Sequence, residues 1–243
     1  MSRFLYIGAV FIGTPLLAYG YYTTALSLEV DRTFLSVSTF LFSIFAGFFI
    51  SRQASRFNRV RESVTAFDGK LSNVYRASGH INTDLQKEVG KVIKKRYEKL
   101  LAGNEWHTPF TEKSTTLKEI HALLEKHVIE EEVTKLANQA LGGMVKGLAN
   151  CQDLRKQMIA LYEERIPKEQ WVMILFIVGM LVMTVSALPS TGALFVSILK
   201  AAFVTSVFSV MFILYKLNNL SYTERIMGEH SAQDVLDLIV GSR

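Results

Sequence analysis

Two long apolar runs open the chain. Phe4 to Ala25 contains no charged side chain, and Thr33 to Ile50 follows after a short charged turn. A helix needs about 20 apolar residues to cross the hydrocarbon core of a bilayer. Residues 1–50 are therefore predicted to form a transmembrane hairpin, with spans at about 4–25 and 33–50. The first run continues too far, with too little flanking charge, for a cleaved secretory signal, so we expect it to be retained.

Two further apolar runs lie in the second half of the chain. Trp171 to Ala187 is separated from Thr191 to Tyr215 by the short turn Leu188-Pro189-Ser190. These runs predict a second hairpin over residues 171–216, with spans at about 171–187 and 191–215. The chain is thus expected to cross the membrane four times, and residues 217–243 are expected to follow as a C-terminal segment.

The segment 51–170 between the two hairpins has mixed charge and the apolar period of helices. Ser55 to Ala77 repeats apolar residues at that period, so it is predicted to continue the second span as one long or bent helix. No segment alternates as a strand would. The fold class is therefore all-α, a polytopic membrane protein with a helical cytoplasmic domain inserted between spans 2 and 3. Further helices are predicted from Thr83 through Leu101, after the capping-box pattern Thr116-x-x-Glu119, and from Val133 to Ile166 with a soft spot at Gly142-Gly143.

The positions of the basic residues predict the orientation. The chain is 49% hydrophobic and carries a net charge of +5, and its Lys and Arg residues gather after the second and fourth runs. Because short cytoplasmic flanks are rich in Lys and Arg, both termini and residues 51–170 are predicted to be cytoplasmic, with the protein in the inner (plasma) membrane. A cytoplasmic basic collar is predicted after the second span, made of Arg52, Arg56, Arg59 and Arg61.

Patterns typical of catalysis or of cofactor binding do not occur. His121 and His127 are spaced to lie on opposite sides of a helix, which disfavours a metal pair. Cys151 is the single cysteine and has no His or Lys at catalytic spacing. Phosphate-binding glycine loops and basic–aromatic nucleic-acid patterns are missing as well. We therefore expect no enzyme activity, no cofactor, no metal and no nucleic-acid partner.

The second span carries two kinds of side chain on neighbouring sides. Ser36, Thr39 and Ser43 lie on a narrow side of small and hydroxyl residues. Beside them, bulky apolar residues recur at every fourth position. Such a stripe forms a hydrophobic constriction when several subunits surround an axis, and it is equally typical of plain helix packing, so both interpretations stay open. The stripe consists of Phe40, Ile44 and Phe48.

Lys200 interrupts the fourth apolar run, where an ammonium is costly unless it is paired or hydrated. If the helix begins at Thr191, Lys200 lies at membrane depth and lines a hydrated, anion-attracting path. If the preceding residues lie in the interface, Lys200 marks the outer end of a short span over residues 201–215. The sequence leaves both alternatives open.

The second span resembles a known family. Ser43-Ile44-Phe45-x-Gly47-Phe48, followed by Arg56-Phe57 and Arg61, is similar to the second-span signature of bacterial bestrophins. The order of two spans, a helical block and two more spans also resembles bestrophins, and bestrophin-like bacterial membrane proteins in particular. The resemblance implies a homopentameric ion channel; most bestrophins conduct anions and some bacterial members conduct cations, so the selectivity stays open. By this resemblance the hydrophobic pore neck is Phe40, Ile44 and Phe48, and we expect Ser36, Thr39, Ser43 and Lys200 as its polar lining.

Two functions are therefore predicted for the chain. The first is an oligomeric, bestrophin-like ion channel with passive ion transport through a pore lined by the second transmembrane helix. The alternative is a non-conducting, membrane-anchored scaffold or sensor whose cytoplasmic helices bind a partner. The expected partners of the channel are the lipid bilayer, further copies of the chain and permeant ions.

Overall fold

A computed structural model describes residues 15–20, 22, 32–102, 115–129, 135–188, 194–220 and 229–241. All regular structure in these ranges is helical, which confirms the all-α class. The predicted span 4–25 and the turn at Pro189 lie largely outside the described residues. The helices after residue 31 are α1 (Arg32–Gly79), α2 (Thr83–Ala102), α3 (Thr116–Ile129), α4 (Lys135–Glu163), α5 (Lys168–Ala187), α6 (Leu194–Asn218) and α7 (Glu229–Val240).

Three described helical stretches are long and apolar enough to cross a membrane. They are Thr33–Gly79, which lies in α1, Lys135–Ala187, which includes α5, and Leu194–Asn218, which is α6. These stretches contain the second, third and fourth apolar runs of the sequence. Within the apolar runs of these stretches, the exposed side chains are mostly large and apolar, as expected for helices that contact lipid or other membrane helices.

α1 is one uninterrupted helix of 48 residues, which confirms that the second span continues past Ile50. No proline occurs within it, so every backbone N–H beyond the first turn can bond to the preceding turn. Its second part buries the predicted apolar positions. Val60, Phe67, Leu71 and Val74 are all at most 2% exposed.

Residue contacts divide the chain into two compact units. The first contains residues 1–54 and 165–222, and the second contains residues 55–164 and 223–243. In the first unit, the apolar core joins the first part of α1 to α5 and α6. Its most buried members include Phe49, Ile174, Leu181 and Leu214.

The second unit has a separate core of helices α2, α3, α4 and α7 around the second part of α1. No helix is predicted from the sequence for residues 217–243, yet α7 buries Ala232 and Val235 to 1% and 3% exposure. The C-terminal helix is therefore part of this core. Other central members are Leu71, Ile93, Ile120 and Leu148.

At the starts of α2 and α3, side chains one position before Thr83 and Thr116 form the local hydrogen bonds. Before α2, the Asn82 side chain accepts a hydrogen bond from the backbone N–H of Asp84 at 2.7 Å. Before α3, the Thr115 hydroxyl donates to the Glu119 carboxylate at 2.5 Å. α4 continues without a break through the predicted soft spot at Gly142-Gly143. Packing of the flanking turns outweighs the low helix propensity of glycine there.

Candidate functional site

The predicted neck residues form an exposed row on α1. Phe40, Ile44 and Phe48 are 65%, 50% and 60% exposed in the single chain. Successive members are four residues apart, so they lie one above the other on the same side of the helix. The opposite side of α1 packs into the core of the first unit through Phe42, Ala46 and Phe49.

The predicted polar lining lies beside this row. Ser36 and Ser43 are exposed, and Thr39 is half-buried. The Ser43 hydroxyl donates to the Thr39 carbonyl at 2.8 Å, the usual way to satisfy a hydroxyl on an apolar helix. Apart from its chain neighbours and the nearby backbone of α1, no heavy atom of the described residues lies within 4 Å of the position that a Cβ would occupy at Gly47. The side of α1 next to the row of Phe40, Ile44 and Phe48 therefore carries small side chains and is open.

The four arginines of the predicted collar have unlike surroundings. Arg52, Arg59 and Arg61 are exposed, and Arg59 forms an ion pair with Glu164 at 3.3 Å. Arg56 is only 1% exposed, so its side chain lies inside the second unit. A solvent-facing collar is thus available from three of the four residues, and Arg56 has a different role.

Arg56 binds the C-terminal end of α4. Its Nε donates to the Leu161 carbonyl at 2.6 Å, and its Nη2 donates to the Tyr162 carbonyl at 2.6 Å. The carbonyls of a last helical turn have no partner within the helix, and the dipole makes that end negative. The guanidinium therefore supplies both the missing donors and the complementary charge, which is why a buried arginine is tolerated here.

Lys200 has a comparable contact in the first unit. Its side chain is 5% exposed, and its ammonium donates to the Leu188 carbonyl and, at 3.5 Å, to the Ser186 carbonyl. Both acceptors belong to the end of α5 and the residue after it. Within the chain, the ammonium therefore contacts the connection between α5 and α6 instead of facing outward.

A buried polar cluster in the second unit was not found from the sequence. The Tyr97 hydroxyl donates to the Asp68 carboxylate at 2.5 Å, and Ser231 of α7 also bonds to this carboxylate. The Arg96 guanidinium lies 4.9 Å from the centroid of the Phe67 ring. Desolvation raises the pKa of the Asp68 carboxyl in spite of these hydrogen bonds. The available signal was a carboxylate at helical spacing from Val64 and Leu71 on the apolar stripe of α1.

The remaining polar groups offer little for metal or redox chemistry. Within the described ranges, no group of three or more His, Cys, Asp or Glu side chains could hold a metal ion. The Cys151 thiol is buried among apolar side chains, and this burial raises its pKa to about 11. A thiol with that pKa is largely protonated at neutral pH and is a poor nucleophile.

The apolar helices and the all-helical units define a helical membrane protein. A family model described as a bestrophin-like domain matches residues 20–222. The chain belongs to the bestrophin-like family, which confirms the resemblance seen in the sequence. No curated protein and no solved structure matches the chain.

Proposed function

We propose that this protein is an oligomeric ion channel that conducts ions passively along an axis lined by α1. The observation that carries the proposal is the exposed row of Phe40, Ile44 and Phe48 on a helix whose other side is buried. Exposed aromatic side chains on a membrane helix face either lipid or another protein surface. Membership of the bestrophin-like family favours the second, with copies of α1 around a common axis.

The neck acts through its dimensions and its lack of polar groups. When several copies of this row surround a common axis, the path between them is narrow and apolar. Water is readily excluded from such a path, so ions cross it only when it widens. Ser36, Thr39 and Ser43 provide polar contacts on the outer side. The exposed Arg52, Arg59 and Arg61 follow on the other side and raise the local concentration of anions.

The orientation and assembly complete the proposal. Both termini and the second unit are cytoplasmic, because Lys and Arg gather after the apolar runs of α1 and α6. The protein lies in the plasma membrane as a homopentamer, the assembly that the resemblance to bestrophins implies. Its partners are lipid, further copies of the chain and the permeant ions.

Two measurements on one preparation test the proposal. The subunit count is measured by native mass spectrometry of the detergent-purified protein. Ion flux is then measured from liposomes loaded with chloride or potassium. A closed ring with flux is the expected result. A monomer or dimer without flux would overturn the channel proposal and favour the membrane-anchored scaffold or sensor. In that case the row of Phe40, Ile44 and Phe48 packs against lipid or a partner helix.

A further inference from the structure

We propose that the first unit binds an anionic phospholipid where α5 begins and α6 ends, through Arg165, Lys168 and Lys216. This site is separate from the neck on α1 and does not depend on ion conduction. All three basic residues belong to the first unit, so the inference uses the geometry of that unit alone.

A buried hydrogen bond holds these two helix ends together. The backbone N–H of Ile166 donates to Oδ1 of Asn218 at 2.8 Å, and both residues are buried. Arg165 and Lys168 lie within two residues of Ile166. Lys216 lies two residues before Asn218. The bond therefore brings three basic residues from two separate helix ends to one end of the α5–α6 hairpin.

The charge at this end of the hairpin is predominantly positive. Arg165 and Lys168 are exposed, and Lys216 is half-buried. Among the described residues of the first unit, the only acidic side chain is Glu169. The sequence contains no Asp or Glu from residue 170 to residue 223. A negatively charged partner is therefore the complementary one.

The basic residues lie next to the ends of the apolar runs. The third run begins at Trp171, three residues after Lys168. The fourth run ends at Tyr215, next to Lys216. Because Trp and Tyr at the ends of membrane spans lie at the level of the lipid head groups, Lys168 and Lys216 lie at that level too.

The position of the Lys216 ammonium agrees with a lipid partner. Its nitrogen lies 4.7 Å from the centroid of the Phe212 ring, so it stays beside the apolar run instead of extending away from it. A phospholipid offers a negatively charged head group to the basic residues and acyl chains to the apolar helices. Basic residues at the ends of membrane helices bind anionic head groups in this way.

Trp171 can report which lipid lies at this site. The chain has two tryptophans, so Trp106→Phe leaves Trp171 as the single one. The full-length protein is reconstituted in vesicles of phosphatidylcholine and phosphatidylglycerol, in which one of the two lipids carries bromine near the head-group end of its acyl chains. Bromine quenches tryptophan fluorescence only at close range. The ratio of quenching by the two brominated lipids, at equal mole fraction, therefore measures the lipid preference of the site.

The expected result is stronger quenching by phosphatidylglycerol than by phosphatidylcholine. Lys168→Gln and Lys216→Gln should each lower this preference by up to about fivefold, equivalent to about 1 kcal/mol for one basic residue near an anionic surface. Adding Arg165→Gln to both should make the two lipids quench equally. Lys168→Arg combined with Lys216→Arg retains both charges and should retain the preference. The matched control combines Lys146→Gln with Lys156→Gln, which removes two exposed lysines of α4 and should leave the ratio unchanged.

Three outcomes would overturn the inference. The first is equal quenching by the two lipids when all three basic residues are present. The second is an unchanged preference in the double lysine variant to Gln, with unchanged quenching by brominated phosphatidylcholine as the check that the fold is intact. The third is loss of the preference when inorganic phosphate replaces chloride at constant ionic strength, which would show that the site takes a free anion. None of these measurements uses ion flux, so the channel function is tested separately.

Discussion

The Tyr97 hydroxyl donates a hydrogen bond of 2.5 Å to the Asp68 carboxylate inside the core of the second unit. Tyr97 belongs to α2 and Asp68 to α1, and Ser231 of α7 bonds to the same carboxylate. Helices distant in sequence therefore meet at one buried charge. Removing a donor from a buried carboxylate costs more than an average hydrogen bond contributes, because the acceptor remains desolvated.

Tyr97→Phe should lower the free energy of unfolding by about 1–3 kcal/mol, because Asp68 then loses its hydroxyl donor while the ring still fills its site. The measurement is thermal unfolding in detergent followed by circular dichroism. Tyr215→Phe is the matched control, since Tyr215 is 56% exposed and should leave the midpoint nearly unchanged. Equal midpoints for the two variants would contradict the energetic importance of the Tyr97–Asp68 bond.

Asp68 should also make stability depend on pH. Burial raises its pKa in the folded protein, so the folded state binds this proton more tightly than the unfolded state does. The resulting contribution is present at low pH and is lost as the pH rises from the ordinary value of about 3.9 through the raised pKa. The unfolding midpoint of Asp68→Asn, measured relative to wild type, should therefore increase between acidic and neutral pH. A constant difference between the midpoints of Asp68→Asn and wild type across that pH range would show that Asp68 does not titrate this way.

Replacing two glycines of α4 by alanine should change the free energy of unfolding in opposite directions. A Cβ at Gly147 would lie 2.8 Å from Cγ2 of Val74, a short branched side chain with little freedom to move. Gly147→Ala should therefore destabilise by about 1–3 kcal/mol through overpacking. At Gly142 a Cβ would meet nothing within 4 Å. Gly142→Ala should stabilise by up to about 1 kcal/mol, because alanine is the better helix former. Chemical unfolding of both variants measures the difference, and a Gly147→Ala protein as stable as wild type would contradict the packing at Val74.

Lys200 is expected to support the end of α5. Lys200→Met removes the donor to the Ser186 and Leu188 carbonyls and should lower stability by about 1–3 kcal/mol, whereas Lys200→Arg should retain much of it. Lys216→Met is the comparison, because that ammonium lies 4.7 Å from the Phe212 ring centroid, a contact of about 0.5–1 kcal/mol. Stability is measured by titration with a denaturing detergent. Reduced chloride flux at unchanged stability in Lys200→Met would instead place Lys200 on a hydrated path.

Truncation of the neck should increase conduction. Replacing Phe40, Ile44 and Phe48 together by alanine widens the apolar path and lets water remain in it, so flux should rise. The comparison is the substitution of Val172 and Phe176, two exposed apolar residues of α5, by alanine. Liposome flux is measured for both proteins after normalisation to the amount of assembled protein. Unchanged flux in an active triple variant would place the gate elsewhere.

Local patterns in the sequence determined much of the architecture. The helical period from Ser55 to Ala77 was sufficient to predict that the second span continues as one long or bent helix, and α1 is that helix. The apolar runs beginning at Thr33, Trp171 and Thr191 located α1, α5 and α6. The motif from Ser43 to Phe48 pointed to the family that the comparison of residues 20–222 confirms. In each case neighbours along the chain carry the signal, because helix formation and membrane partition depend on local composition.

Only the tertiary structure decided how polar and charged side chains are used. Arg56 and Arg59 look alike in the sequence, yet Arg56 is buried against Leu161 and Tyr162, about a hundred residues away, and Arg59 is exposed. The helix ends that accept from Arg56 and Lys200 are created by chain folding, since unpaired carbonyls become a binding site only where another helix reaches them. Asp68 likewise acquires its partners from α2 and α7. Hydropathy along a chain indicates whether a segment favours water or an apolar environment, but the partner of a buried charge is set by contacts distant in sequence.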